Sequence, residues 1–255
     1  MTNFFTACSS GYDHFVLPWI TSALIHNPDA VAEVLVEDEN QFKIGIKQLR
    51  LNFGDRVVIS SMSKQWADWT EKAWRSSAIR FLEMPSIKSD YIYIGDIDII
   101  ILEPILAGHL HHMEVLNLPY SNIVRSGGHK RMTGLHFADF DKWYGSIKDL
   151  SCYQKWYGSE VTNDEQLLYH MAETGPGLPK EIPLWAEKYR PVHGIHTSPN
   201  RKIDGPINWG VNQHWSKRFK KLEQEKIWIS MLPFFHPSYT SILTTIRKYI
   251  IDKNL

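Results

Sequence analysis

Short apolar, β-rich runs alternate with stretches of helical periodicity over the first hundred positions of the chain. Residues 3–8, 33–38, 56–61 and 91–102 carry the strand pattern. Between them, 18–26 predicts a helix entered from the turn Ser9-Ser10-Gly11. Trp66, Trp69 and Ala73 recur at helical spacing in another, which runs towards Leu82 and stops at Pro85. Such alternation predicts an α/β domain around a largely parallel sheet. Beyond Leu102 the pattern loosens: 114–118 and 135–138 read as further strands, separated by the loop Ser126-Gly127-Gly128-His129. Residues 176–210 are rich in Pro and Gly, which fits either a site-building loop or a simple surface wrap. The pattern divides the chain into a main domain at 1–210 and a C-terminal helical appendage at 211–255.

The appendage carries its own periodicity. Tyr239, Ile242, Leu243, Ile246, Tyr249 and Ile250 make one helical stripe beside Arg247, Lys248 and Lys253, with the basic run Lys217-Arg218-Phe219-Lys220-Lys221 upstream. Two readings stand. The stripe rests peripherally on an anionic membrane, or it packs on the main domain.

Composition narrows the partners. With 255 residues and 43% hydrophobic content the chain can bury a substantial core, and 28 Lys+Arg against 28 Asp+Glu leave no global field for nucleic acid or an anionic bilayer. Cys8 and Cys152 are the two cysteines, and the N-terminal residues lack a basic region followed by a long apolar segment. Both features predict a cytoplasmic setting. No apolar run approaches the ~20 residues of a membrane span.

The chemistry concentrates in Asp90-Tyr91-Ile92-Tyr93-Ile94-Gly95-Asp96-Ile97-Asp98-Ile99-Ile100-Ile101-Leu102. A strand this apolar is buried on both faces, and two carboxylates within it cost several kcal/mol each unless a positive partner neutralises them. In extended chain Asp96 and Asp98 point to the same side with Cα atoms roughly 6–7 Å apart, close enough to converge on one hard cation. Gly95 removes a side chain where a ligand could approach. A haloacid-dehalogenase D-x-D-x-T needs Thr where Ile100 stands, and the Gly-Asn-His run of calcineurin-type phosphoesterases is absent. His109, His111 and His112 lack a supporting carboxylate pattern and read as ordinary surface or loop residues.

With these residues in view, the chain resembles glycosyltransferase family 8, which includes bacterial lipopolysaccharide galactosyltransferases and glycogenin. The resemblance rests on Phe5-Thr6-Ala7-Cys8-Ser9-Ser10-Gly11-Tyr12, on Arg80-Phe81-Leu82-Glu83-Met84-Pro85 and on Asp96-Ile97-Asp98. It continues through Met132-Thr133-Gly134-Leu135, Asn163-Asp164-Glu165-Gln166 and His196-Thr197-Ser198-Pro199-Asn200-Arg201-Lys202. Met132, Glu165 and Ser198 depart from the family's usual Asn, Gln and Gly. The resemblance implies a GT-A fold and a metal-dependent enzyme moving a hexose from a UDP-sugar to a glycan or lipid-linked glycan, with retention of configuration. An inverting GT-A enzyme and a nucleotide-sugar-binding protein without turnover are the alternatives.

In this reading Asp96, Asp98 and His196 hold Mn²⁺ or Mg²⁺, with His193 as a rival to His196, and Lys202 adds a point charge at the phosphates. Ala7, Cys8 and Tyr12 follow the first strand, where open α/β sheets bind nucleotides; Tyr12 either stacks on the base or packs the first helix. Arg80, with Asp96, reaches the donor, or else is a solvated helix charge. Asp164 and Glu165 face the transferring sugar, or else serve as an acidic helix N-terminus.

Overall fold

The computed structural model describes residues 1–66, 73–125, 130–147, 149–157, 161, 163–179, 192–197 and 210–255, with the side chains of 73–76 and 156 left aside. Among these residues eight strands are ordered along the chain: β1 (Thr2–Ala7), β2 (Val31–Val36), β3 (Val57–Ser61), β4 (Tyr91–Ile94), β5 (Ile99–Ile101), β6 (Tyr120–Ser121), β7 (His136–Asp139) and β8 (Gly194–His196). Six of them form one sheet in the order β3-β2-β1-β4-β7-β6. β1 pairs in parallel with β2 and β4, and β2 with β3, while β7 runs antiparallel to both β4 and β6. The remaining two make an antiparallel ribbon, β5-β8.

Alternation along the central strands assigns each sheet face its own core. Phe4 and Tyr93 face one side, where they meet helices α1 (Val16–His26) and α2 (Lys43–Phe53). Phe5, Ile92 and Ile94 face the other, against α3 (Ala73–Leu82), α5 (Phe140–Ser146) and α7 (Asp164–Thr174). The helices not yet placed are α4 (Leu106–Leu116), α6 (Leu150–Trp156), α8 (Gln213–Leu222), α9 (Lys226–Met231) and α10 (Pro237–Asp252). α1 is apolar all round because it is covered all round: Val16 to Leu24 are buried between the sheet, the ribbon and the C-terminal helices.

Two sequence expectations change in the folded chain. The run 91–102 is not one strand. It leaves the main sheet after Ile94, turns through Gly95 to Asp98 and resumes as β5 in the ribbon, because an apolar run signals burial and not straightness. The predicted strand at 114–118 is instead the end of α4, whose His109, His112 and Leu116 recur at helical spacing on the buried face. Asn117, left-handed at φ 50°, ends that helix before β6 begins.

The C-terminal stripe is not free for a membrane. Tyr239, Leu243, Ile246 and Ile250 are buried in the same core as Phe4 and α1, and Ile242 and Tyr249 pack against it. Tyr239 meets Phe15 edge-on at 5.8 Å, and Arg247 binds Glu223 at 2.5 Å. Among the described residues no helix is long and apolar enough to cross a membrane.

Candidate metal and donor site

Because β1 and β4 are parallel and in register at Phe5 and Ile94, Ala7-Cys8 and Gly95-Asp96 emerge side by side at the carboxyl edge of the sheet. That edge is where ligands meet open α/β sheets. The turn after β4 is fixed from both flanks. Thr6 donates its hydroxyl to the Gly95 carbonyl at 2.8 Å, and Arg80 Nη1 reaches the same oxygen at 3.3 Å. A Cβ at Gly95 would stand 2.5 Å from the Tyr93 ring, so this glycine makes room for Tyr93 and not for a ligand. The glycine that faces the acidic cluster is Gly134, where a Cβ would lie 3.0 Å from Arg80 Nη2 and 3.5 Å from Asp96 Oδ1.

Beyond the turn, the ribbon brings in the imidazole. Ile99 pairs with His196, so Asp98 and His196 lie at the same end, with Asp98 Oδ1 3.4 Å from His196 Nε2. Thr197 clamps this end, giving both its amide (2.6 Å) and its hydroxyl (2.7 Å) to the Asp98 carbonyl. Gly194 permits the pairing, because any Cβ there would run into the Ile100 backbone. One donor atom each from Asp96, Asp98 and His196 lies within 4.8 Å of the others. Two carboxylates and an imidazole are a donor set that suits a hard to borderline divalent cation.

The surrounding charge agrees with that set. Arg80, 4% exposed, binds Asp96 Oδ1 at 2.6 Å and Asp164 Oδ2 at 2.9 Å. Burial works against its charge, yet Asp96 and Asp164 outweigh burial and hold its pKa above the usual value. Among these described groups one guanidinium faces the three carboxylates of Asp96, Asp98 and Asp164, and the excess negative charge favours a further cation. Asp164 stands at the first position of α7, where Asn163 caps Gln166 N at 2.9 Å. Burial raises its pKa, Arg80 lowers it, and nearby Asp96 adds to the rise. Glu165 lies one position on and is bound by Arg125, with Arg131 Nη1 3.8 Å from its other oxygen. Burial raises its pKa against the pull of Arg125.

Other predicted positions fall as follows. Ala7 and Cys8 are buried at the sheet edge, and burial together with Asp13 pushes the Cys8 thiol up. Tyr12 is half-buried, 5.7 Å from the Phe15 ring. Lys202, with most of 176–210, lies outside the described residues. His193 is drawn away from the cluster, with Nδ1 on Glu103 and Nε2 on His109 Nε2, each at 2.9 Å. Contrary to expectation, His109 and His112 are fully buried, and both bind Ser121 Oγ at 2.8 Å. Their helical spacing with Leu116 was the signal for burial. Residue-type reasoning missed Thr197 as a support, since its contribution runs through the Asp98 backbone.

No family model and no curated protein matches the sequence. Solved structures do match. An active-site mutant of LgtC is 13% identical with a TM-score of 0.57, over 90% of this chain and 100% of that one. The galactosyltransferase LgtC in complex with donor and acceptor sugar analogs is 14% identical, with the same TM-score and coverage. The glycosyltransferase GlyE of Streptococcus pneumoniae TIGR4 is 12% identical with a TM-score of 0.53, over 94% of this chain and 64% of GlyE. At this level of identity the likeness is one of architecture, and it agrees with the sheet order and crossover pattern described above: the chain has the GT-A fold of these glycosyltransferases.

Proposed function

We propose that the protein is a metal-dependent glycosyltransferase that moves a hexose from a UDP-sugar to a glycan or lipid-linked glycan. The observation that carries this reading is the convergence of Asp96, Asp98 and His196 at the carboxyl edge of a GT-A sheet. These residues would hold Mn²⁺ or Mg²⁺, and the bound ion would neutralise the diphosphate leaving group. Arg80 fixes the Asp96 and Asp164 carboxylates in place. Ala7, Cys8 and Tyr12 flank the nucleotide, and Lys202 supplies positive charge at the phosphates. Asp164 faces the sugar, where negative charge favours an oxocarbenium-like transition state, and Glu165 stands beside it, held by Arg125 and Arg131. Retention of configuration follows the family resemblance.

Calorimetric titration with UDP, in Mn²⁺ and again in EDTA, tests the reading. Binding should require the metal, and Asp98→Asn should weaken metal-supported binding by on the order of 100-fold, as loss of one carboxylate leaves the diphosphate charge poorly compensated. Equal UDP affinity in both solutions would refute the metal site.

A further inference from the structure

Next to the acidic cluster lies a basic one. The chain forms an antiparallel bridge between Val124 and Met132, and Arg125 donates its amide to the Arg131 carbonyl at 2.7 Å, so the two arginines are neighbours across a short arm. Met132 N is bound to the Glu165 carbonyl at 3.1 Å, which docks the arm on the first turn of α7. Both guanidiniums converge on the Glu165 side chain. Two cations around one carboxylate leave a local positive excess.

These arginines are also incompletely used. Among the described residues, Nε of Arg125 and Nε of Arg131 are buried without a hydrogen-bond partner. Their side chains are still 28% and 36% exposed, so a ligand can reach the outer nitrogens from solvent. Guanidinium forks bind carboxylate and phosphate in bidentate fashion through such outer nitrogens. The cluster lies one residue along α7 from Asp164, which is joined through Arg80 to Asp96. In the transferase reading, a group bound there would stand next to the Asp164 position assigned to the sugar.

We infer that Arg125 and Arg131 bind an oxyanion of the acceptor, so that the enzyme glycosylates an acidic glycan bearing a carboxylate or phosphate. Glu165 is the resident counter-ion of the pair. This inference rests on the proposed transferase reading.

The test titrates glucuronate, glucose 6-phosphate and glucose onto protein saturated with UDP and Mn²⁺, so that the nucleotide site is already filled. At least one charged sugar should bind ten-fold or more tighter than glucose, and the preference should weaken with added salt. Comparing the two charged sugars separates carboxylate from phosphate recognition. Arg131→Gln, at the more exposed of the two positions, should cut the preference several-fold. The double variant Arg125→Gln/Arg131→Gln should abolish it, with melting curves checking that both variants fold. Equal affinity for all three sugars in the unaltered protein, or an unchanged preference in the folded single variant, overturns the inference. UDP affinity from the loading step is read separately, so failure of the donor reading is distinguishable from failure of this one.

Discussion

The two ends of the β5-β8 ribbon hold contrasting clusters of titratable side chains. At one end Asp98 and His196 join Asp96 and Asp164 around the guanidinium of Arg80, and among the described groups negative charge is left over. At the other, Leu102 donates its amide to the His193 carbonyl at 2.8 Å, and Glu103, His193, His109, Ser121 and His112 form a hydrogen-bonded chain. Glu103 can only accept, so His193 Nδ1 carries a proton, and one set of tautomers continues the chain with His193 Nε2 accepting from His109. His109 Nδ1 then accepts from Ser121, whose oxygen accepts from His112. Every link is met by that set of tautomers. Burial, reinforced by the neighbouring histidines, holds the His109 pKa well below its usual value. The contrast teaches that a cluster of potential ligands points to a cation when its charge is unbalanced, and to a structural role when its protons already close the network.

The largest effect is expected at the C-terminal helix, which packs into the core that α1 and the ribbon share. Deleting 238–255 removes buried Tyr239, Leu243, Ile246 and Ile250, worth roughly 1.5–3 kcal/mol each. The total, about 6–12 kcal/mol, rivals the stability of a whole domain. Circular dichroism should show a truncated chain that does not fold at 25 °C, and sedimentation with anionic vesicles should leave the intact protein in the supernatant. A truncation that melts like the parent would show that the stripe contributes nothing to the core.

A smaller effect concerns a buried imidazole outside both clusters, His136 on β7. Burial lowers the His136 pKa to about 3, so below the unfolded value of about 6.5 the unfolded chain takes up a proton that the folded chain refuses. The stability from keeping His136 neutral is therefore complete above about pH 6.5 and falls as pH drops, by about 1.4 kcal/mol per pH unit. Urea unfolding at pH 7 and pH 5 should show about 2 kcal/mol of this loss in the native protein, absent in His136→Phe. The comparison with the variant is needed because Asp164 and Glu165, whose pKa values are raised, contribute with the opposite sign. Identical pH slopes in the two proteins would show that His136 takes up its proton in the folded chain as readily as in the unfolded one.

The smallest effect tests the clamp on Asp98. Thr197→Val keeps the amide but deletes the hydroxyl donor to the Asp98 carbonyl, at a cost of about 1 kcal/mol. Mn²⁺ titration should show affinity reduced a few-fold with little change in melting temperature. Unchanged affinity would show that the amide alone holds Asp98 in place.

The sequence by itself determined the α/β class, since the alternation of β-rich and helical periods is a local property of the chain. It also determined that Asp96 and Asp98 matter, because two carboxylates in so apolar a run demand compensation wherever that run goes. It singled out His196 and Asp164 through the family resemblance, and the structure brings both to the same cluster. Tertiary structure alone decided the rest. Whether 91–102 stays straight depends on its neighbours: Thr6, Arg80 and the pairing with β8 turn it, and none of these lies nearby in the chain. The fate of the C-terminal stripe was equally open, since an apolar helix face looks the same whether lipid or protein covers it, and only packing against Phe15 and α1 chose protein. The burial of His109 and His112 followed from contacts with Ser121 and His193, 12 and 84 residues from His109, because the hydrogen bonds that make a buried imidazole affordable come from the fold and not from adjacent sequence.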